Sequence, residues 1–279
     1  MPGSDTETTK AVGTLVVTDL DGTVWDNTLR CHPATVEAIA ELHRRDDVEL
    51  IAATGRRRNS ARRAFDANGI VMPAVLLNGA VGYDFVIEEL FHMVTFTADA
   101  LERTLGILGS HGIAPVAYLA DTTAVALEDV TTSTRHLDTL DGDLVWWTLD
   151  ELATRDDVLG LSMLGVDRDF LAPAHAELAG YDDTEVHLFV DHLYPPGSLM
   201  IAPADVDKRR GIQAWIDHRG DTPPARILGI GDAGNDLPML ELADIPVAVA
   251  TAFPEVMAIA EHVIGPPAEG GWADVLDLL

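Results

Sequence analysis

The sequence predicts an α/β protein, a parallel-sheet core interrupted by an inserted α+β domain. Three observations lead there. Short β-branched apolar runs alternate with helix-period segments at the start of the chain and again at its end. Polar loops rich in Asp and Gly follow several of those runs directly. Between the two stretches the texture changes to short strands with few crossover helices.

Thr14–Thr18 is a short apolar run that reads as a buried strand, and it stops abruptly at Asp19-Leu20-Asp21-Gly22-Thr23. From Pro33 to about Arg45, Val36, Ile39, Ala40 and His43 recur at helical spacing. Val48–Ala53 is a second buried strand and ends at Thr54-Gly55-Arg56. Asn59–Ala67 reads as a helix with Gly69 as its stop. Ala74–Leu77 is a third strand, ending at Asn78-Gly79. A β-α-β-α-β order predicts a parallel sheet with right-handed crossovers. After Gly82, strands are expected within 83–96, 115–127, 144–149, 158–165 and 186–190, with helices over 98–108 and 171–179. At Lys208 the alternation returns: helix 211–218, strand 226–230, helix 237–242, strand 246–249, helix 254–261. The expected organisation is a discontinuous core over 11–82 and 197–279, an inserted domain over 83–196, and a flexible N-terminus over 1–10. Gly79, Gly82, Pro195, Pro196 and Gly197 sit at the junctions, where they suit hinge motion and ordinary loops alike.

Composition narrows the function. The 279 residues carry 46 acidic and 18 basic side chains, a formal charge of −28. Such a chain repels nucleic acid and anionic lipid, which argues against both as partners. Its only lysines are Lys10 and Lys208; heavy acid with little Lys suits a high-salt cytoplasm, and compositional drift with a need for solubility explains it equally. The single cysteine, Cys31, excludes an internal disulfide framework, fits a reducing compartment and reads as a packed thiol. No apolar run is long enough to span a bilayer, and Met1–Lys10 lacks the apolar stretch of a signal peptide, so a cytoplasmic location is expected.

Ligands of parallel α/β sheets bind at the carboxyl ends of the strands. The polar residues there are Asp19 and Asp21 after the first strand, Thr54 after the second, and Asp232 and Asp236 after the strand at 226–230, with Lys208 near the start of the helix before it. Carboxylates are hard oxygen ligands suited to Mg²⁺. Four of them sharing a site repel one another unless a divalent cation lies among them. Singly, each has a structural reading: Asp21-Gly22 as a turn, Thr54 as a strand end, Asp236 before Leu237-Pro238 as an N-cap, Lys208 as a surface lysine. Their conjunction, in order and at strand ends or helix starts, points to chemistry.

In that conjunction the sequence resembles the haloacid dehalogenase (HAD) superfamily of phosphotransferases: D-x-D-G-T at Asp19, a strand ending in T-G-R at Thr54, a lone Lys208, then G-D-x-x-N-D at Gly231. The insert, with Asn78-Gly79-Ala80, is similar to members bearing the large C2 (IIB) cap, the Cof-type sugar-phosphate phosphatases. The resemblance covers essentially the whole core, while the cap matches in position and size more than in residues. It implies a Rossmann-like parallel-sheet core with an inserted α+β cap, and a Mg²⁺-dependent phosphomonoester hydrolase acting on a small soluble phosphorylated metabolite, a sugar phosphate first. Asp19 would be the nucleophile and Asp21 the general acid and base. Thr54, Gly55, Lys208 and Asn235 would join Asp19 around the phosphate, and Asp19, the Asp21 main-chain carbonyl, Asp232 and Asp236 would hold or orient Mg²⁺. A phosphomutase or phosphotransferase, a phosphoglycolate-type phosphatase, and a non-catalytic binding protein are the alternatives on the same core. One departure stands out: many relatives have Gly directly after this Lys, and here Arg209 and Arg210 precede Gly211.

Other residues read more plainly. The ten histidines show no tight ligand spacing; His187 and His192, flanking Asp191, fit a strand end and loop of the cap. Trp146 and Trp147 put one ring on each face of a strand, one inward and one outward. Arg56, Arg57 and Arg58 read as a solvated helix entrance, with one of them able to reach substrate.

Overall fold

The structure is a computed structural model describing residues 13–140, 142–190, 193–220 and 222–279. The expectations placed on residues 1–10, Asp191 and His192 lie outside the described residues.

The chain opens with β1 (Thr14–Thr18), α1 (Pro33–Leu42), β2 (Val48–Ala53), α2 (Arg58–Asn68) and β3 (Pro73–Leu76). Gly69 ends α2 in the left-handed conformation that favours glycine. Next come β4 (Val81–Asp84), β5 (Glu89–Met93), α3 (Ala98–Ser110), β6 (Val116–Leu119), β7 (Ala124–Leu127), α4 (Thr134–Thr139), β8 (Leu144–Trp147), α5 (Leu149–Ala153), β9 (Val158–Leu164), α6 (Arg168–Leu178), β10 (Thr184–Phe189) and β11 (Ser198–Pro203). The chain finishes with α7 (Lys208–Arg219), β12 (Arg226–Gly231), α8 (Leu237–Leu242), β13 (Ile245–Val249), α9 (Pro254–Met257) and β14 (His262–Ile264).

Two sheets organise these elements. The core sheet runs β14-β13-β12-β1-β2-β3-β4-β5, parallel from β14 to β3 and antiparallel at β4 and β5. Side-chain alternation explains why β1 is apolar throughout. Leu15 and Val17 face a layer containing Ile212, Trp215, Met239 and Leu240, while Val16 faces the layer of Ile39, Leu42 and Phe65. The cap sheet runs β10-β11-β9-β6-β7-β8. One face of the cap sheet packs on α3, α5 and α6 through residues such as Leu101, Leu108, Leu152 and Leu171. Val116, Tyr118, Ala124 and Leu159 on its other face join the same apolar cluster as the core layer of α1 and α2.

Sheet membership moves both expected boundaries. The changeover expected after residue 82 comes after Met93, because β4 and β5 hydrogen-bond to the core sheet as a hairpin. The return expected at 197 comes after Pro203, because β11 pairs with β9 and β10 of the cap. A run of strands carries no mark of which sheet it joins, since antiparallel hairpins suit a core edge and a separate domain equally. Trp146 is exposed and Trp147 is partly buried against the cap core, in line with the alternation.

Candidate active site

Register brings the loops together. Thr18 of β1 lies opposite Ala52 of β2 on one side and Ile230 of β12 on the other. The residues that follow on these adjacent strands, Asp19, Thr54 and Asp232, therefore emerge at one end of the sheet. β1 also divides the two winding directions, so this end is the topological switch point.

Asp19, Asp232 and Asp236 each offer a carboxylate oxygen, and those atoms lie within 4.8 Å of one another, all buried. Lys208 Nζ donates to Asp19 Oδ1 at 2.6 Å and to Asp236 Oδ1 at 2.5 Å. Lys208 and Asp236 are both 0% exposed. Asp207 caps α7 by accepting from the Arg210 amide, which aims the first residue of the helix, Lys208, into the cluster. Arg209 turns away to Pro238 and Glu241. The glycine displaced to Gly211 lies against Val75, where a Cβ would sit 2.2 Å from Cγ1. The two arginines therefore lie within the first turn of α7 and leave the lysine in place.

Asp236 spends its other oxygen on the main chain: Oδ2 accepts from the amides of Asp232 and Ala233 at 2.9 and 3.0 Å. With both oxygens engaged it braces the loop and orients Lys208, while Asp19 and Asp232 keep oxygens for a cation. Thr23 donates to Asp232 Oδ1 at 3.2 Å. Gly22, at φ +89°, is required here: a Cβ would fall 2.4 Å from Asp232 Oδ2.

Burial drives the titration of this cluster. It pushes Asp19 up to about 7, with Asp236 and Asp21 adding to the rise and Lys208 opposing it. Asp232 is pushed up to about 9, by burial first and then by Asp19 and Asp236. For Lys208 burial acts downward, yet the Asp19 and Asp236 carboxylates outweigh it and hold the ammonium above its ordinary range. One ammonium is too little charge for three buried carboxylates. The cluster retains a proton where a cation would otherwise stand, so its residues fit a divalent ion with oxygen ligands.

Asp21 stands apart from this cluster. Its carboxylate is gripped by Arg56 through two bonds of 2.6 Å, from Nε and Nη2, and accepts from Trp25 Nε1 at 2.9 Å. The Arg56 guanidinium also lies over the buried Trp25 ring, 5.5 Å from its centroid. Arg56 is thus a partner of the second aspartate, and Arg57 a buried link to the cap, where a solvated helix entrance was expected. Arg57 Nη2 reaches Asp143 Oδ2 at 3.3 Å, and Asn59 Nδ2 donates to Asp143 Oδ1 at 2.9 Å.

Thr54 is buried; its hydroxyl accepts from the Arg56 amide at 3.2 Å, leaving the hydroxyl proton to be donated. Asn235 reaches across to Asn78, whose side chain lies against Gly55. Trp25 and Asp143 are residues that sequence reasoning left without roles, whereas Thr23, Arg56 and Asn78 were noted within motifs but not for the contacts they make here. A signal existed for Trp25, four residues beyond Asp21, and for Arg56, in the T-G-R triplet. Nothing in the sequence pairs Asp143 with α2. Cys31 is a free, partly buried thiol, pushed up to about 12 by burial.

The chain belongs to the haloacid dehalogenase-like hydrolase family, whose model matches residues 16–276. Its fold is that of the capped members. A haloacid dehalogenase-like hydrolase from Bacillus subtilis superposes with a TM-score of 0.81 at 19% identity, covering 95% of this chain and 99% of that one. A subclass IIB sugar phosphatase superposes with a TM-score of 0.74 at 19% identity, covering 95% and 98%. In sequence, the pyridoxal phosphate phosphatase YbhA of Escherichia coli is 24% identical over 90% of this chain and 93% of its own length. The chain spans less than half the length of several other curated relatives that it matches.

Proposed function

We propose that the protein is a Mg²⁺-dependent phosphomonoester hydrolase acting on a small soluble phosphorylated metabolite, a sugar phosphate first. The observation that carries this reading is the buried cluster of Asp19, Asp232 and Asp236 around Lys208 at the switch point of the sheet. Membership of a family of hydrolases with named phosphatase relatives supports it. No helix among the described residues is long and apolar enough to cross a membrane, and with the single cysteine we place the enzyme in the cytoplasm.

Asp19 attacks phosphorus through a carboxylate oxygen. The bond to the leaving oxygen breaks as the new one forms, and Asp21 gives its proton to the departing alkoxide. Arg56 must loosen its grip for that donation, since both Asp21 oxygens are engaged. In the second half Asp21 takes a proton from water, which attacks the aspartyl-phosphate and releases phosphate and free Asp19. Lys208 neutralises charge on the transferring group. The Thr54 hydroxyl, the Gly55 amide and the Asn235 side chain hold its outer oxygens. Asp19 and Asp232 would hold Mg²⁺ with the Asp21 main-chain carbonyl, while Asp236 orients the loop. Bound there, Mg²⁺ supplies the charge that lets Asp19 and the phosphate approach one another.

The test is phosphate release with Mg²⁺ from a panel of sugar phosphates, pyridoxal phosphate and phosphoglycolate. Replacing Asp19 by Asn is expected to lower the rate by at least about 10³-fold; equal rates in the two proteins overturn the reading.

A further inference from the structure

Between β3 and β4 the chain makes a single tight turn in which Leu77, Asn78 and Gly79 all have positive φ, at 49°, 54° and 123°. Leucine is strained in this region, which asparagine tolerates better than other side-chain-bearing residues, and such backbone persists only where its surroundings fix it. Here the surroundings are the loops of the active site. The Leu77 amide donates to the Arg56 carbonyl and the Asn78 amide to the Thr54 carbonyl, both at 3.0 Å. Gly79 lies so near Asp207, the cap of the Lys208 helix, that a Cβ would fall 2.1 Å from its carbonyl oxygen. Buried Asn78 turns its side chain to the remaining loop: Oδ1 accepts from Asn235 Nδ2 at 3.1 Å. Its own Nδ2 donates to Met200 Sδ, 3.7 Å away on cap strand β11.

We propose that Asn78 is a positioning residue for phosphate binding. Without touching substrate, it fixes the side-chain amide of Asn235 so that the second Nδ2 hydrogen points at a phosphoryl oxygen, and it ties that orientation to the cap through Met200. The inference rests on the phosphatase reading, in which Asn235 binds phosphate. Glycine would suit the backbone here at least as well, so the side chain is what the position uses. An aspartate would offer no donor to Met200 and would add a negative charge beside an anionic ligand.

Asn78→Gly keeps the left-handed backbone and deletes only the amide. Its inhibition constant for orthophosphate is expected to rise about 10-fold and kcat/KM to fall about 10-fold, the loss of one charge-assisted hydrogen bond. Mg²⁺ affinity by calorimetry is expected to stay within about twofold of wild type, and Tm within about 3 °C. A double-mutant cycle is the decisive readout: in an Asn235→Ala background, Asn78→Gly is expected to change phosphate affinity by less than about twofold. Full additivity of the two losses, or wild-type phosphate affinity in Asn78→Gly, overturns the proposal. Wild-type turnover against Asp19→Asn separates the two readings: a wild type that hydrolyses nothing and binds no phosphate sinks both, whereas an active wild type with an additive cycle sinks only the role of Asn78.

Discussion

Replacing the proposed nucleophile is expected to make the metal-free protein more stable. Burial moves the Asp19 carboxyl from 3.8 to about 7. A raised folded value means that this group's stabilising contribution is complete below about pH 4 and lost as pH rises through about 7. At roughly 1.4 kcal/mol per decade, ionising Asp19 in the folded state costs at most about 4 kcal/mol. An asparagine in its place avoids that cost, which is already net of the attraction between the Asp19 carboxylate and Lys208. The expected gain for Asp19→Asn at pH 8 is therefore at most about 4 kcal/mol, or at most roughly 8–12 °C in Tm for a chain of this size. The assay is thermal unfolding by circular dichroism in chelator from pH 5 to 8.5, repeated with saturating Mg²⁺. In chelator the variant's advantage should widen from pH 5 to about 7 and level off above it; with Mg²⁺ the order should reverse, because only the wild type gains full ion binding. Parallel pH profiles in chelator would refute the idea that a buried, under-neutralised carboxylate cluster shapes the stability of this protein.

Three further outcomes follow from the same geometry. Mg²⁺ binding at pH 7.5 should release about one proton, because Asp19 and Asp232 are raised to about 7 and about 9; calorimetry in buffers of differing ionisation enthalpy measures it, and buffer-independent heats would contradict it. Lys208→Met leaves three buried carboxylates without their ammonium and should destabilise the metal-free protein by about 3–5 kcal/mol in urea unfolding. Asp143→Ala removes the carboxylate partner of Arg57, which is 7% exposed, and one of the two acceptors of Asn59, leaving both held by Thr122; it should lower stability by about 1–2 kcal/mol and speed hydrogen exchange in the 120–123 turn and at 142–143.

The sequence carried the local part of this structure well. Strands β1, β2 and β12 are apolar on both faces, and that pattern is unambiguous for a parallel sheet. The loops that follow them bear residue types with few other reasons to be there. What it lacked was information about partners distant in the chain. The hairpin of β4 and β5 and the strand β11 look alike in sequence yet join opposite sheets. The short helices α4 and α5 are under two turns and leave no periodicity to detect. Arg56 and Arg57 are neighbours with different fates, one on Asp21 and one on Asp143, because the extended backbone entering α2 points successive side chains apart. The pairing of Asn78 with Asn235 spans 157 positions and depends wholly on the tertiary fold.

The apolar face shared by Val116, Tyr118, Ala124 and Leu159 with the layer beneath has a mechanical consequence. Lifting the upper body as a rigid flap would wet those side chains, at roughly 25 cal/mol for each square ångström uncovered. Wide swinging is therefore opposed in proportion to the apolar area that it uncovers. Heat should melt both bodies in one cooperative transition, and compact molecules should enter far more readily than polymers.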